Sequence, residues 1–71
     1  MEEGKMIKEY LESNGISQMY VSRKTQIKPV KLNMALNGVR KLNLDEYALI
    51  CGALNVDTNK FLRPRLPEAK D

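Results

Sequence analysis

Apolar residues along the chain recur at helical spacing, and no stretch alternates as a strand would. Met6, Ile7, Tyr10 and Leu11 form one face of a first helix over 4–13. Asn14-Gly15 ends it, because glycine adopts the left-handed conformation that closes a helix. Ser17 is a good N-cap for a second helix over 18–25, with Val21 and Ser22 pointing inward. Gln26-Ile27-Lys28 makes a tight turn. Pro29 sits at the first position of a third helix, where its missing N–H costs nothing. Leu32, Ala35 and Leu36 bury one face of that helix, and Asn37-Gly38 closes it. Asn43 caps a fourth helix and Glu46, three residues on, completes a capping box. Leu44, Tyr47, Ala48, Cys51 and Leu54 give the fourth helix its period, and Asp57 caps a short fifth that ends near Phe61-Leu62. The expected fold is a compact all-α domain of five short helices over 1–62. Residues 63–71 carry two prolines and are expected to form a flexible C-terminal tail.

Charge adds an asymmetry to this pattern. Residues 13–44 carry six cations (Arg23, Lys24, Lys28, Lys31, Arg40, Lys41) and no carboxylate, whereas residues 1–12 sum to −2 and residues 45–71 to −1. The net charge of +3 hides this basic middle. A cationic window that coincides with two short helices and a tight turn suits a polyanion, since a helix-turn-helix lays its second helix in the major groove of DNA. The first helix would direct its N-terminus at a phosphate. The ordinary reading of a lysine run, a solvated face, loses weight through this coincidence.

Other chemistries find little support. The chain has no histidine and one cysteine, Cys51, which excludes a Cys/His zinc site and an intramolecular disulfide within one chain. Cys51 falls in an apolar pattern and reads as a small buried hydrophobe. Asp45 and Glu46 are adjacent at a helix start, where carboxylates complement the dipole. No nucleophile–base pair, glycine-rich phosphate loop or metal cluster stands out, so neither catalysis nor a cofactor is expected. No apolar run approaches a bilayer's width, and Met-Glu-Glu-Gly is the wrong opening for a signal peptide. A soluble, cytoplasmic, nucleoid-associated protein is expected.

The residues carry a family resemblance. Ile16-Ser17-Gln18, Val21, Ile27, Ala35-Leu36-Asn37-Gly38 and Leu42-Asn43 resemble the lambda-repressor/Cro (XRE-type) helix-turn-helix. Tyr47-Ala48-Leu49, Ala53-Leu54-Asn55-Val56 and Phe61-Leu62 are similar to that family's fourth and fifth helices, without gaps from Ile16 to Leu62. Ser22 stands where the family usually has alanine, and Gln26 where it often has glycine. The resemblance implies a small repressor-like transcriptional regulator, a homodimer on paired half-sites of double-stranded DNA. It also implies roles: Gln18 to bind phosphate and brace the recognition helix, Asn37 to bind phosphate, Arg40 to reach a base or phosphate, and Asn43 to cap the fourth helix and touch phosphate. Lys28, Val30, Lys31, Asn33 and Met34 would occupy the exposed side of the recognition helix with Pro29, flanked by Lys24 and Lys41.

The reading positions are unusual. Pro29, Val30 and Met34 offer no side-chain donors to base edges, though Val and Met can touch a thymine methyl. With Met19 and Tyr20 they form an apolar strip inside a basic frame, which also suits a protein partner. The alternative is therefore a helix-turn-helix fold repurposed as a protein-binding module, an antirepressor or a repressor's partner. Phe61 and Leu62 join Met19 and Tyr20 as candidate protein-interface residues.

Overall fold

In the computed structural model, which describes residues 2–62, four helices follow in order: α1 (Glu2–Ser13), α2 (Gln18–Thr25), α3 (Pro29–Leu36) and α4 (Leu44–Leu54). The expected all-α class holds. The predicted second and third helices have the observed bounds, and the tail over 63–71 lies outside the described residues.

Each helix stops on a left-handed residue: Gly15 (φ 66°), Gln26 (φ 66°), Gly38 (φ 77°) and Asn55 (φ 58°). Three of these ends share one hydrogen-bond pattern. After α1 the Ile16 amide donates to the Leu11 carbonyl at 2.9 Å, after α3 Val39 donates to Met34 at 2.8 Å, and after α4 Val56 donates to Cys51 at 3.0 Å. Each bond satisfies a carbonyl that the finished helix leaves without a partner. Two starts are capped by side chains. Ser17 Oγ accepts from the Tyr20 amide, and Asn43 and Glu46 form a reciprocal capping box.

α2 packs against α3 and α4, and α1 against α3. Ile7, Leu11, Val21, Ile27, Leu32, Leu36, Ile50 and Cys51 fill the space between them. Gly4 makes the α1–α3 approach possible, because a Cβ there would collide with the Ala35 carbonyl oxygen. Of the predicted face of α4, Tyr47 and Cys51 are buried and Leu54 packs against the core, while Leu44 and Ala48 are exposed and Ile50 joins the buried stripe in their place. That helix is apolar on several sides, so periodicity alone leaves its rotation open.

The predicted fifth helix does not propagate. Asp57 does cap, its Oδ1 accepting from the Asn59 amide at 2.8 Å, but i→i+3 turn bonds follow (Lys60 to Asp57, Leu62 to Asn59). The reason lies in the Thr58 carbonyl, which would accept from Leu62 in an α-helix and instead accepts from the Tyr47 hydroxyl at 2.6 Å. Thr58 and Asn59 are also weak helix formers. The turn drives Phe61 inward, edge-on to Tyr10 and Tyr47 with ring centroids 5.6 and 6.5 Å away. Burial also pushes the Tyr47 phenol up to about 12. Phe61 is 3% exposed, so it belongs to the core and not to the protein interface where it was expected; Leu62 beside it remains exposed.

Candidate nucleic-acid interface

The α2–turn–α3 unit is tied together by side-chain hydroxyls. Ser22 Oγ donates to the Ile27 carbonyl, and Thr25 Oγ1 donates to the Val21 carbonyl at 2.7 Å while accepting from the Ile27 amide at 3.2 Å. Ser22 and Thr25 are buried, and these bonds supply the partners a buried polar group needs. Ser22, in the family's alanine position, thus fixes the turn through a bond that alanine cannot make. Gln26 occupies the left-handed position without glycine's freedom.

α3 begins at Pro29 and has no side-chain cap, and neither α2 nor α3 has an acidic residue in its first turn. By contrast the first turn of α4 carries Asp45 and Glu46. The positive ends of α2 and α3 therefore carry no compensating carboxylate, and that of α3 has no side-chain cap at all, a setting that favours an anion. Lys28 and Lys31 are exposed at the start of α3, Lys24 near the end of α2 and Lys41 in the loop after α3, and among the described residues none forms an ion pair. Lys24 Nζ rests 5.8 Å from the Tyr20 ring centroid.

Two amides join the helices. Asn33 Nδ2, in α3, donates to Gln18 Oε1 at the start of α2, at 3.2 Å. Gln18 thus braces the recognition helix as the resemblance implies. The two residues line an open cleft with Met19, Pro29, Val30 and Met34. Val30 is 70% exposed, Met19 53% and Met34 36%. The apolar strip is thus present, but without Tyr20. Successive helical residues diverge by about 100°, and Tyr20 turns toward α4, where it lines a groove with Leu49 and Ala53.

Other predicted contacts are engaged within the fold. Arg40 turns inward: its Nη1 and Nη2 reach Glu46 Oε1 and Oε2 at 3.2 and 2.9 Å, and Nη1 also donates to the Lys41 carbonyl. Its Nε donates to the Lys31 carbonyl at 3.3 Å, so Arg40 links the recognition helix to α4 instead of reaching outward to a base or phosphate. The guanidinium holds the Glu46 carboxyl below its ordinary value. Asn43 spends its Oδ1 on the Glu46 amide. Asn37 donates from Nδ2 to the Asn33 carbonyl and accepts at Oδ1 from Lys8 Nζ at 2.7 Å. Lys8 escaped the sequence reading, because its place beside Asn37 depends on how α1 crosses α3. The signal available was its spacing from Lys5 on one face of α1; Lys5, Lys8 and Asn37 line one cleft.

Catalytic chemistry gains nothing here. Cys51 is fully buried and burial raises its thiol pKa, which works against a thiolate nucleophile. Among the described residues no group of His, Cys, Asp or Glu assembles as a metal site, and no helix is long and apolar enough to cross a membrane.

No curated protein and no solved structure matches the chain significantly. A family profile described as helix-turn-helix, of the XRE/lambda-repressor type, matches residues 7–61, from the first core residue of α1 to the buried Phe61. Its members are DNA-binding regulators. Two short helices joined by a tight turn, within a basic stretch of sequence that holds no carboxylate, are the parts such a regulator uses, and the chain belongs to the lambda-repressor-like helix-turn-helix family.

Proposed function

We propose that this domain is a repressor-like regulator of transcription that binds double-stranded DNA with α3 in the major groove, acting as a homodimer in the cytoplasm at the nucleoid. One observation carries the reading: Lys28 and Lys31 stand exposed at the uncapped start of α3 with no carboxylate partner among the described residues. Phosphate neutralisation by such lysines supplies most of the affinity and makes it salt-dependent. Asn43 is proposed as a phosphate ligand through its unbonded Nδ2, and Asn37 through the Nδ2 hydrogen that its bond to the Asn33 carbonyl leaves over. The exposed Leu44 and Leu62, which share a notch with Leu42 and Tyr47, support pairing of two copies away from α3. The test is titration of labelled duplex pools over a range of salt, with sedimentation of the free protein. A log–log slope of several units and a dimer are expected. A flat salt response, or no duplex bound by micromolar protein at low salt, overturns the DNA reading.

A second reading, a module that binds a protein, is favoured by the groove that Tyr20, Ala48, Leu49, Gly52 and Ala53 line on the α2–α4 side. Leu49→Lys separates the two. It abolishes function if that groove is the working surface and leaves duplex binding intact if α3 is.

A further inference from the structure

Part of the exposed face of the recognition helix is apolar, although lysines flank it. Val30 on α3 is 70% exposed, and across the open cleft Met19 on α2 is 53% exposed. Met34 stands one helical turn beyond Val30, and Pro29 closes the cleft at the helix start. None of these four side chains has a hydrogen-bond donor for a base, and the two thioether sulfurs are only weak acceptors. Along the base edges of the major groove the one apolar group is the C5-methyl of thymine.

The polar members of the same cleft complete the pattern. Asn33 Nδ2 donates to Gln18 Oε1, which fixes the two amides against each other. Among the described residues, Asn33 Oδ1 and Gln18 Nε2 have no partner, so the joined pair offers one acceptor and one donor. Were both amides turned over, one donor and one acceptor would still remain. Adenine presents the complementary pair in the major groove, an N6 donor beside an N7 acceptor. Methyl-seeking side chains beside an adenine-complementary amide pair match the two halves of a T·A base pair.

Resting on the DNA-binding reading above, we propose that the Met19–Val30–Met34 cleft is a reader of the C5-methyl of thymine, and that Gln18 and Asn33 together read the paired adenine. The lysine frame selects the occupant: residues 13–44 hold six cations and no carboxylate, which complements a polyanion. Specificity then comes from excluding water between apolar side chains and methyl groups, with few direct hydrogen bonds to bases. A 5-methylcytosine, which carries its methyl at the same ring position, satisfies the apolar half of the site, whereas unmethylated cytosine does not.

The experiment uses random-sequence duplexes prepared in two forms, one with thymidine and one with deoxyuridine throughout, which differ only in that methyl. Sites are selected from the thymidine pool with the full chain, and each selected duplex is remade with deoxyuridine. The proposal expects T·A-bearing sites whose deoxyuridine forms bind about fourfold weaker for each contacted methyl, the ratio that follows from ~0.8 kcal/mol per buried carbon. It also expects Val30→Ala and Met34→Ala to lose this discrimination while keeping the wild-type melting curve and salt slope. Equal affinity for both forms overturns the methyl reading and leaves the DNA reading standing. Failure to retain either pool at low salt overturns the DNA reading itself and makes a protein the occupant of the cleft.

Discussion

Arg40 grips Glu46 with both terminal nitrogens, at 3.2 and 2.9 Å, and the same carboxylate receives the Asn43 amide of the capping box. One acidic side chain thereby ties the loop after the recognition helix to the start of α4. Arg40 completes the tie through the Lys31 carbonyl, inside α3. The basic residue that looked most like a base reader is thus a strut behind the reading surface.

The charge on Glu46 therefore has a pH signature. The Arg40 hydrogen bonds lower its folded-state pKa below the ordinary 4.5, outweighing the opposing effect of burial. A lowered pKa contributes stability that is present above 4.5 and lost as pH falls through the folded value. Glu46→Gln keeps the hydrogen-bonding shape of the capping box and removes the charge. It should cost about 1 kcal/mol at neutral pH. Denaturant titrations from pH 7 downward should show the two proteins converging in acid, and parallel curves would refute the assignment.

Gly4 yields a prediction whose sign is diagnostic. By helix propensity alone Gly4→Ala should stabilise α1 by about 1 kcal/mol. Because the added Cβ meets the Ala35 carbonyl oxygen, α1 must instead move off α3. A net loss of about 2 kcal/mol is expected, lowering the melting temperature of a domain this small by roughly 10 °C. A thermal melt decides between the two signs.

Gln26→Gly should act in the opposite direction. Gln26 holds φ 66° at the end of α2, a conformation that costs a residue with a Cβ about 1 kcal/mol. Its side-chain bond to the Arg23 carbonyl is exposed and returns little of this. A gain of about 0.5–1 kcal/mol is expected in chemical denaturation, with DNA affinity unchanged.

Lysines and Arg40 should separate in their salt response. Lys28→Ala and Lys31→Ala each remove an unpaired cation beside the start of α3 and should reduce the log–log salt slope by about one unit. Arg40→Ala should weaken binding through the position of α3, with the slope retained and the melting temperature reduced. Fluorescence anisotropy at several salt concentrations, alongside a melt, measures both quantities. A slope lost in Arg40→Ala would place that guanidinium on phosphate.

Much of the fold was legible because its signals are local. Ser17, Asn43 and Pro29 mark helix starts, and Gly15 and Gly38 mark ends, through bonds or dihedrals that span only a few residues. The acid-free window and the exposed apolar residues of the recognition helix were legible for the same reason. The fifth helix misled because its cap is real, while the bond that stops it comes from Tyr47, eleven residues earlier.

The sequence by itself determined the all-helical class, the bounds of α2 and α3 and the cationic character of the surface around them, since each follows from propensity, capping and charge count. Tertiary structure alone decided the partners: Arg40 on Glu46, Lys8 on Asn37, Asn33 on Gln18, Phe61 among tyrosines and Tyr20 turned away toward α4. These depend on how far one helix is rotated against the next. That rotation is set by packing the whole core at once, down to the missing Cβ of Gly4, and no local pattern encodes it.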